Sequence, residues 1–163
     1  MKNIKQTKKS LAILLAVLML LGTGSMLTMS GPFSDVSYKA WYREPVTYMT
    51  EHGYINGTGD GKLSPYLTAT NAMFMTALSR IDGVDTDDRG SFKPDWYVTC
   101  GQAAGILYSS LNGHTLPAGD IMEWAVSSGL FHDTSRLNPD EPMSRAEMAY
   151  MLCRYIEIRD GQD

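Results

Sequence analysis

The chain is poor in several features that would have classified it at once. Two cysteines, Cys100 and Cys153, among 163 residues are too few for a disulfide-built fold. Their places in the pattern described below suit separate thiols better than a bridge. His52, His114 and His132 show no metal-ligand spacing, and two lone cysteines do not make a zinc site, so no metal or cofactor is expected. No Gly-x-Ser-x-Gly elbow and no His-Glu-x-x-His motif occurs, and nothing singles out two carboxylates as a glycosidase pair. The sequence therefore reads as non-catalytic.

Positive charge is also scarce beyond the first 30 residues. The four lysines at Lys2, Lys5, Lys8 and Lys9 stand at the front, and after them ten basic residues face 18 acidic ones, a formal charge of −8. That balance excludes a nucleic-acid partner and an anionic membrane surface, both of which call for a basic face. An anionic ligand would need a local pocket working against the overall field.

What is present begins with those lysines. Behind them Leu11 to Gly22 is an unbroken apolar run, followed by small residues at Thr23, Gly24, Ser25, Thr28 and Ser30. This is the layout of a secretory signal peptide, with cleavage after Ser25 or Ser30. An uncleaved membrane anchor is the alternative, since Leu11 to Met29 is almost long enough to span a bilayer. No cysteine follows the run to carry a lipid, and on either reading residues 31–163 are exported.

The exported part holds a pattern repeated three times. Leu63-Ser64-Pro65 leads to Thr70, Phe92-Lys93-Pro94 to Thr99, and Leu137-Asn138-Pro139 to Ser144, always with the hydroxyl residue five after the proline. Leu78, Leu107 and Leu152 each follow thirteen after it. Constant spacing of this kind predicts a repeat architecture. Thr70, Thr99 and Ser144 are N-cap residues by type, and Thr99-x-x-Gln102 and Ser144-x-x-Glu147 are capping boxes. Beyond the caps, Ala72, Met75, Leu78 and Ile81, with Gly101, Ala104, Leu107, Ser110 and Ala146, Ala149, Leu152, Tyr155, predict one buried helical stripe per copy.

A second kind of helix precedes copies one and three. Tyr42, Val46 and Met49 before Gly53 match a later series of Ile121, Trp124 and Ala125 before Gly129, with Asp120 as the expected N-cap. Copy two has no room for such a helix between Asp82 and Gly90. The acids Asp82, Asp85, Asp87 and Asp88 there lack EF-hand spacing and read as a solvated linker. The organisation is thus repeat one at 33–81, a truncated repeat two at 90–112 and repeat three at 117–157.

These motifs carry a resemblance. Phe33-x-Asp35-Val36, Trp41-Tyr42, Gly53-Tyr54-Ile55-Asn56-Gly57, Asp60-Gly61-Lys62-Leu63-x-Pro65 and Ser144-Arg145-Ala146-Glu147 resemble the S-layer homology family over about residues 33–157. The resemblance implies an all-α domain of three helical units around a pseudo-threefold axis. It also implies a cell-surface module that binds secondary cell-wall polysaccharide, often pyruvylated, in grooves between repeats, with the motif arginine on the acidic group.

On that reading Arg145 is the principal ligand contact, and Ser144 and Glu147 belong to the same motif. A cation in the first helical turn opposes the helix dipole by about 0.3–1 kcal/mol, which an anion held by exposed N–H groups would offset. Pairing of Arg145 with Asp140 or Glu141 is the alternative. Copies one and two carry Asn71 and Cys100 where copy three carries Arg145. Asn71 keeps a hydrogen bond to a sugar hydroxyl but not the charge. Trp41 offers a flat face for sugar stacking, whereas Trp124 falls on the core stripe. With two of three arginines gone, a degenerate scaffold that binds another envelope protein or oligomerises stands as the competing reading.

Overall fold

The computed structural model describes residues 33–83, 93–135 and 137–161. The expected signal segment lies outside them, as does most of the acidic stretch. Among the described residues there are five helices and no named strand: α1 Arg43–Glu51, α2 Asn71–Asp82, α3 Cys100–Asn112, α4 Ala118–Ser127 and α5 Arg145–Asp160. The all-α expectation therefore holds, and none of these helices is long and apolar enough to cross a membrane.

Helices α2, α3 and α5 are the ones that the three proline motifs open. Each starts as its cap residue predicts. Thr70, Thr99 and Ser144 sit in extended backbone and accept a hydrogen bond from the N–H three residues on, with complete capping boxes at Thr99–Gln102 and Ser144–Glu147. Their apolar stripes share one core. Leu78, Leu107 and Leu152 are fully buried in it, as are Ala104 and Ala149, with Met75 4% exposed.

The three units close into a ring through their backbones. Ala69 N–H donates to Met143 O at 2.9 Å, Met143 N–H to Val98 O at 3.1 Å, and Val98 N–H to Ala69 O at 3.1 Å. All three residues are buried. The first two N–H groups of α2, α3 and α5 are taken up in the opposite cyclic sense. Asn71 and Ala72 donate to Trp96 O and Pro94 O, Cys100 and Gly101 to Glu141 O and Pro139 O, and Arg145 and Ala146 to Leu67 O and Pro65 O. Each proline loop thus satisfies the orphan donors of a neighbouring repeat's helix. Repeat two, which has no first helix among the described residues, still supplies its third of the ring.

The first helices pack outside this ring. α1 lies against α5, and α4 against α3, where Trp124 meets Tyr108 edge-on at 5.0 Å. Trp124 is accordingly a packing residue, as its stripe predicts. Gly53 and Gly129 follow α1 and α4 with φ of 73° and 68°, the left-handed turn that lets the chain reverse onto the core. α4 begins earlier than expected: Pro117 takes the N-cap position, and Asp120 lies inside the first turn, favourably placed for the dipole. By this scheme α2 is the central helix whose outer partner would have come from repeat two. It carries Thr76 and Ser79 at the positions where α5 has Tyr150 and Cys153.

Asp82 departs from its expected place in a solvated linker. It is the last residue of α2, and its side chain is only 13% exposed. Both of its carboxylate oxygens accept from the Tyr155 hydroxyl, at 3.1 and 3.0 Å, and Arg159 Nη1 donates to it at 3.1 Å. These contacts tie the C-terminal ends of α2 and α5 together. Cys100 and Cys153 are unbridged.

Candidate functional site

Two grooves on this ring are the same cavity built in two different repeats. The first, about 510 Å³, lies between the Tyr54–Thr58 loop of repeat one and its own helix α2, and is closed by Arg145 at the start of α5. The second, about 550 Å³, lies between the Leu130–Asp133 loop of repeat three and its own helix α5, and is closed by Cys100 at the start of α3. In each case the residue after the helix cap serves the groove of a neighbouring repeat. Arg145 therefore completes repeat one, not repeat three.

The surroundings of Arg145 differ from both alternatives read from sequence. The helix N–H groups expected to meet an anion are already bound to Leu67 and Pro65 carbonyls, and the third is held by Ser144 Oγ. Nor does the side chain pair with Asp140 or Glu141. It is 5% exposed, and it donates from Nε to Leu63 O at 2.8 Å and from Nη2 to Asn56 O at 2.6 Å. Among the described residues Nη1 has only the Met73 sulfur, at 3.6 Å. Burial draws the guanidinium pKa down, and the nearby Asp35 carboxylate opposes that shift. The cation is anchored by two backbone carbonyls and lines the groove through its remaining edge.

Asp35 explains the first family motif. Its two carboxylate oxygens accept from Leu63 N–H at 2.9 Å and Ser64 N–H at 2.8 Å. Ser64 has φ of 57°, a left-handed conformation that a serine adopts only under such restraint. Burial pushes the Asp35 pKa up, but the backbone N–H donors outweigh it, and the carboxyl titrates below its ordinary range. Gly57, in the same loop, has no room for a side chain. A Cβ there would lie 2.6 Å from Lys62 O and 2.6 Å from the Phe33 ring.

Sequence reasoning missed Arg80. It lines the first groove with Arg145, is exposed, and donates from Nη1 to Tyr54 O at 3.2 Å. A signal for it exists. Arg80 and Arg154 stand ten residues after their caps, and Arg154 likewise reaches Gly129 O and Ser128 O. Repeat two, without a glycine loop of its own, has Ser109 at that position. Together Arg80 and Arg145, with Asn56, Thr58 and Thr76, make a cationic, hydrogen-bonding pocket in a chain of negative net charge.

The other expected residues fall elsewhere. Trp41 lies in the second groove, 39% exposed and stacked on His132 at 4.2 Å with an interplanar angle of 22°. Glu147 lines that groove too, but its Oε2 is committed to Ser144 N at 2.6 Å and Ser144 Oγ at 2.7 Å. Ser144 acts as the cap. Asn71 donates from Nδ2 to Lys93 O at 3.1 Å, outside both grooves. The structure brings Trp41 and Glu147 together and separates both from Arg145. Among the described residues no group of His, Cys, Asp and Glu is placed to hold a metal.

Comparison with known proteins agrees with this architecture. Residues 32–70 and 113–149 match the S-layer homology domain, the segments containing the first and third glycine loops. An endoglucanase of Bacillus sp. (strain KSM-635) is 28% identical over 98% of this chain, which spans only 16% of that protein's length.

Proposed function

The chain belongs to the S-layer homology domain family, a family of non-catalytic modules that attach proteins to the cell surface, and we propose from that premise that it binds an acidic, pyruvylated secondary cell-wall polymer. The observation that carries this reading is the pairing of Arg80 and Arg145 in one groove of about 510 Å³. A carboxylate is best held by convergent guanidinium groups, which supply charge-assisted hydrogen bonds in a fixed fork. Asn56, Thr58 and Thr76 add neutral partners for sugar hydroxyls. The polymer would be held by one groove of this charge, since the equivalent groove of repeat three has Cys100 in place of the arginine.

A second reading, a scaffold for an envelope protein partner or for self-association, draws support from exposed aromatic and apolar residues on the proline loops. Tyr66 is 77% exposed, Leu67 48%, Trp96 62% and Tyr97 57%. Lys93 covers Trp96, with its Nζ 3.7 Å from the ring centre.

Sedimentation with walls of the native host, intact and after chemical removal of the secondary polymer, separates the two. Anchoring predicts retention on intact walls only, and weaker retention of an Arg80→Gln variant. Equal retention on stripped walls, or none on either, would overturn anchoring and favour a protein partner.

A further inference from the structure

The second groove has the shape of the first and the opposite chemistry. Among the described residues its walls contain no lysine or arginine, and Glu141 and Glu147 help to line it. Cys100 occupies the place that Arg145 holds in the first groove. Burial, with Glu147 and Glu141 adding to it, pushes that thiol up to about 11, so it stays neutral. Among the described residues, therefore, the groove offers no positive charge of the kind that Arg145 gives the first.

What it offers instead is an aromatic wall beside negative charge. Trp41 lies 4.2 Å from His132 and 6.0 Å from Tyr150, with His132 and Tyr150 edge-on at 5.6 Å. Phe131 lines the same cavity. Aromatic faces take the C–H face of a sugar ring, and Trp is the strongest partner for a cation. The side-chain carboxylate of Glu141 has no hydrogen-bond or ion-pair partner among the described residues, and Glu147 uses Oε2 for its cap.

We propose that the Trp41–Glu141 groove of repeat three is a second glycan site, selective for a hexosamine with a free, protonated amine. The sugar ring lies on Trp41, and its ammonium group faces Glu141 and Glu147. The proposal rests on the reading of these inter-repeat grooves as glycan sites and extends it. The two grooves would then hold the acidic and the amine-bearing residues of one wall glycan, side by side on one ring.

The test is calorimetric titration of the full chain in mildly acidic buffer with a β-linked glucosamine tetramer, beside its fully N-acetylated counterpart. The expected result is binding of the free-amine tetramer at least tenfold tighter than the acetylated one, lost in Trp41→Ala and weakened at least fivefold in Glu141→Gln. Glu141 is an exposed loop residue whose backbone carbonyl does the structural work, so the Gln variant keeps the fold, which its melting curve verifies. Cys100→Arg should also weaken the free-amine sugar. Equal affinity for the acetylated tetramer, no binding of either sugar, or full affinity in Glu141→Gln would overturn the proposal. Arg80→Gln should leave this titration unchanged. Loss of wall retention with glucosamine binding intact thus separates the two grooves, and failure of wall anchoring alone leaves the glucosamine result to stand.

Discussion

Asp35 and Arg145 hold Leu63 from both ends of its backbone: Asp35 Oδ1 accepts from Leu63 N–H at 2.9 Å, and Arg145 Nε donates to Leu63 O at 2.8 Å. One residue comes from the start of repeat one and the other from the start of the last helix. Between them they fix the loop that leads into Pro65, whose carbonyl in turn receives the Ala146 N–H. The motif arginine therefore shapes the groove as well as lining it. Removing it leaves the buried Leu63 carbonyl and the Asn56 carbonyl without their donor. Arg145→Ala should lower stability by about 3 kcal/mol in urea unfolding, and Arg145→Lys, which reaches fewer acceptors, by less. Unchanged stability of the Ala variant would contradict this role.

Asp35 makes a pH-dependent prediction. Its folded pKa lies below its ordinary value of 3.8. A depressed carboxylate contributes stability that is complete above the unfolded pKa and is lost as pH falls through the folded one. The urea midpoint should therefore fall between about pH 5 and about pH 2, and fall less steeply in Asp35→Asn. Parallel acid profiles for the two proteins would show that Asp35 carries none of the acid sensitivity.

The junction at Asp82 is a test of the far end of the ring. Tyr155→Phe removes the hydroxyl that serves both carboxylate oxygens and leaves Arg159 as the partner on that side. A loss of about 1.5 kcal/mol is expected, the magnitude of a hydrogen bond to a charged group. The Tyr155 phenol should titrate above its usual range, because of burial and then the Asp82 charge. Ultraviolet pH titration of the folded protein checks it.

Gly57 tests the loop that forms one wall of the cationic groove. Because a methyl group there would run into Lys62 O and the Phe33 ring, Gly57→Ala should destabilise by about 2 kcal/mol. It should also weaken wall retention more than its loss of stability explains. A variant equally stable and equally retained would mean that the loop relaxes freely.

Cys100 should be slow to react. Its thiol, pushed up to about 11 chiefly by burial, holds little thiolate at neutral pH. Alkylation measured by mass spectrometry should accelerate only in strongly alkaline buffer or on unfolding. Rapid labelling at pH near 8 would contradict the placement of the thiol under repeat three's loop.

Much of this was legible in residue spacing, and the reason is local. Proline, cap and leucine at fixed intervals report on one helix start, so Thr70, Thr99 and Ser144 were identified as caps without knowledge of their neighbours. The glycine stops at Gly53 and Gly129 belong to the same class of signal. What spacing does not encode is which repeat meets which. The cyclic bonds among Ala69, Val98 and Met143 join segments far apart in sequence, and nothing in any one copy announces them. Arg145 was visible as a cation in an unfavourable helical turn, but its burial against repeat one's loop was not. Asp82 looked like one more acid in an acidic stretch, and only the approach of Tyr155 and Arg159 gives it a role. Arg80 was the avoidable omission, because its counterpart Arg154 sits at the same distance from its cap.

The most direct test of the central claim, that one cationic groove anchors this chain to an acidic wall polymer, is a charge reversal at Arg80. Arg80 is exposed and makes a single backbone contact, so Arg80→Glu should keep the urea midpoint close to that of the parent. The account predicts that retention on intact walls of the native host falls at least tenfold in this variant. Retention equal to the parent, in a variant shown to be folded, would contradict it.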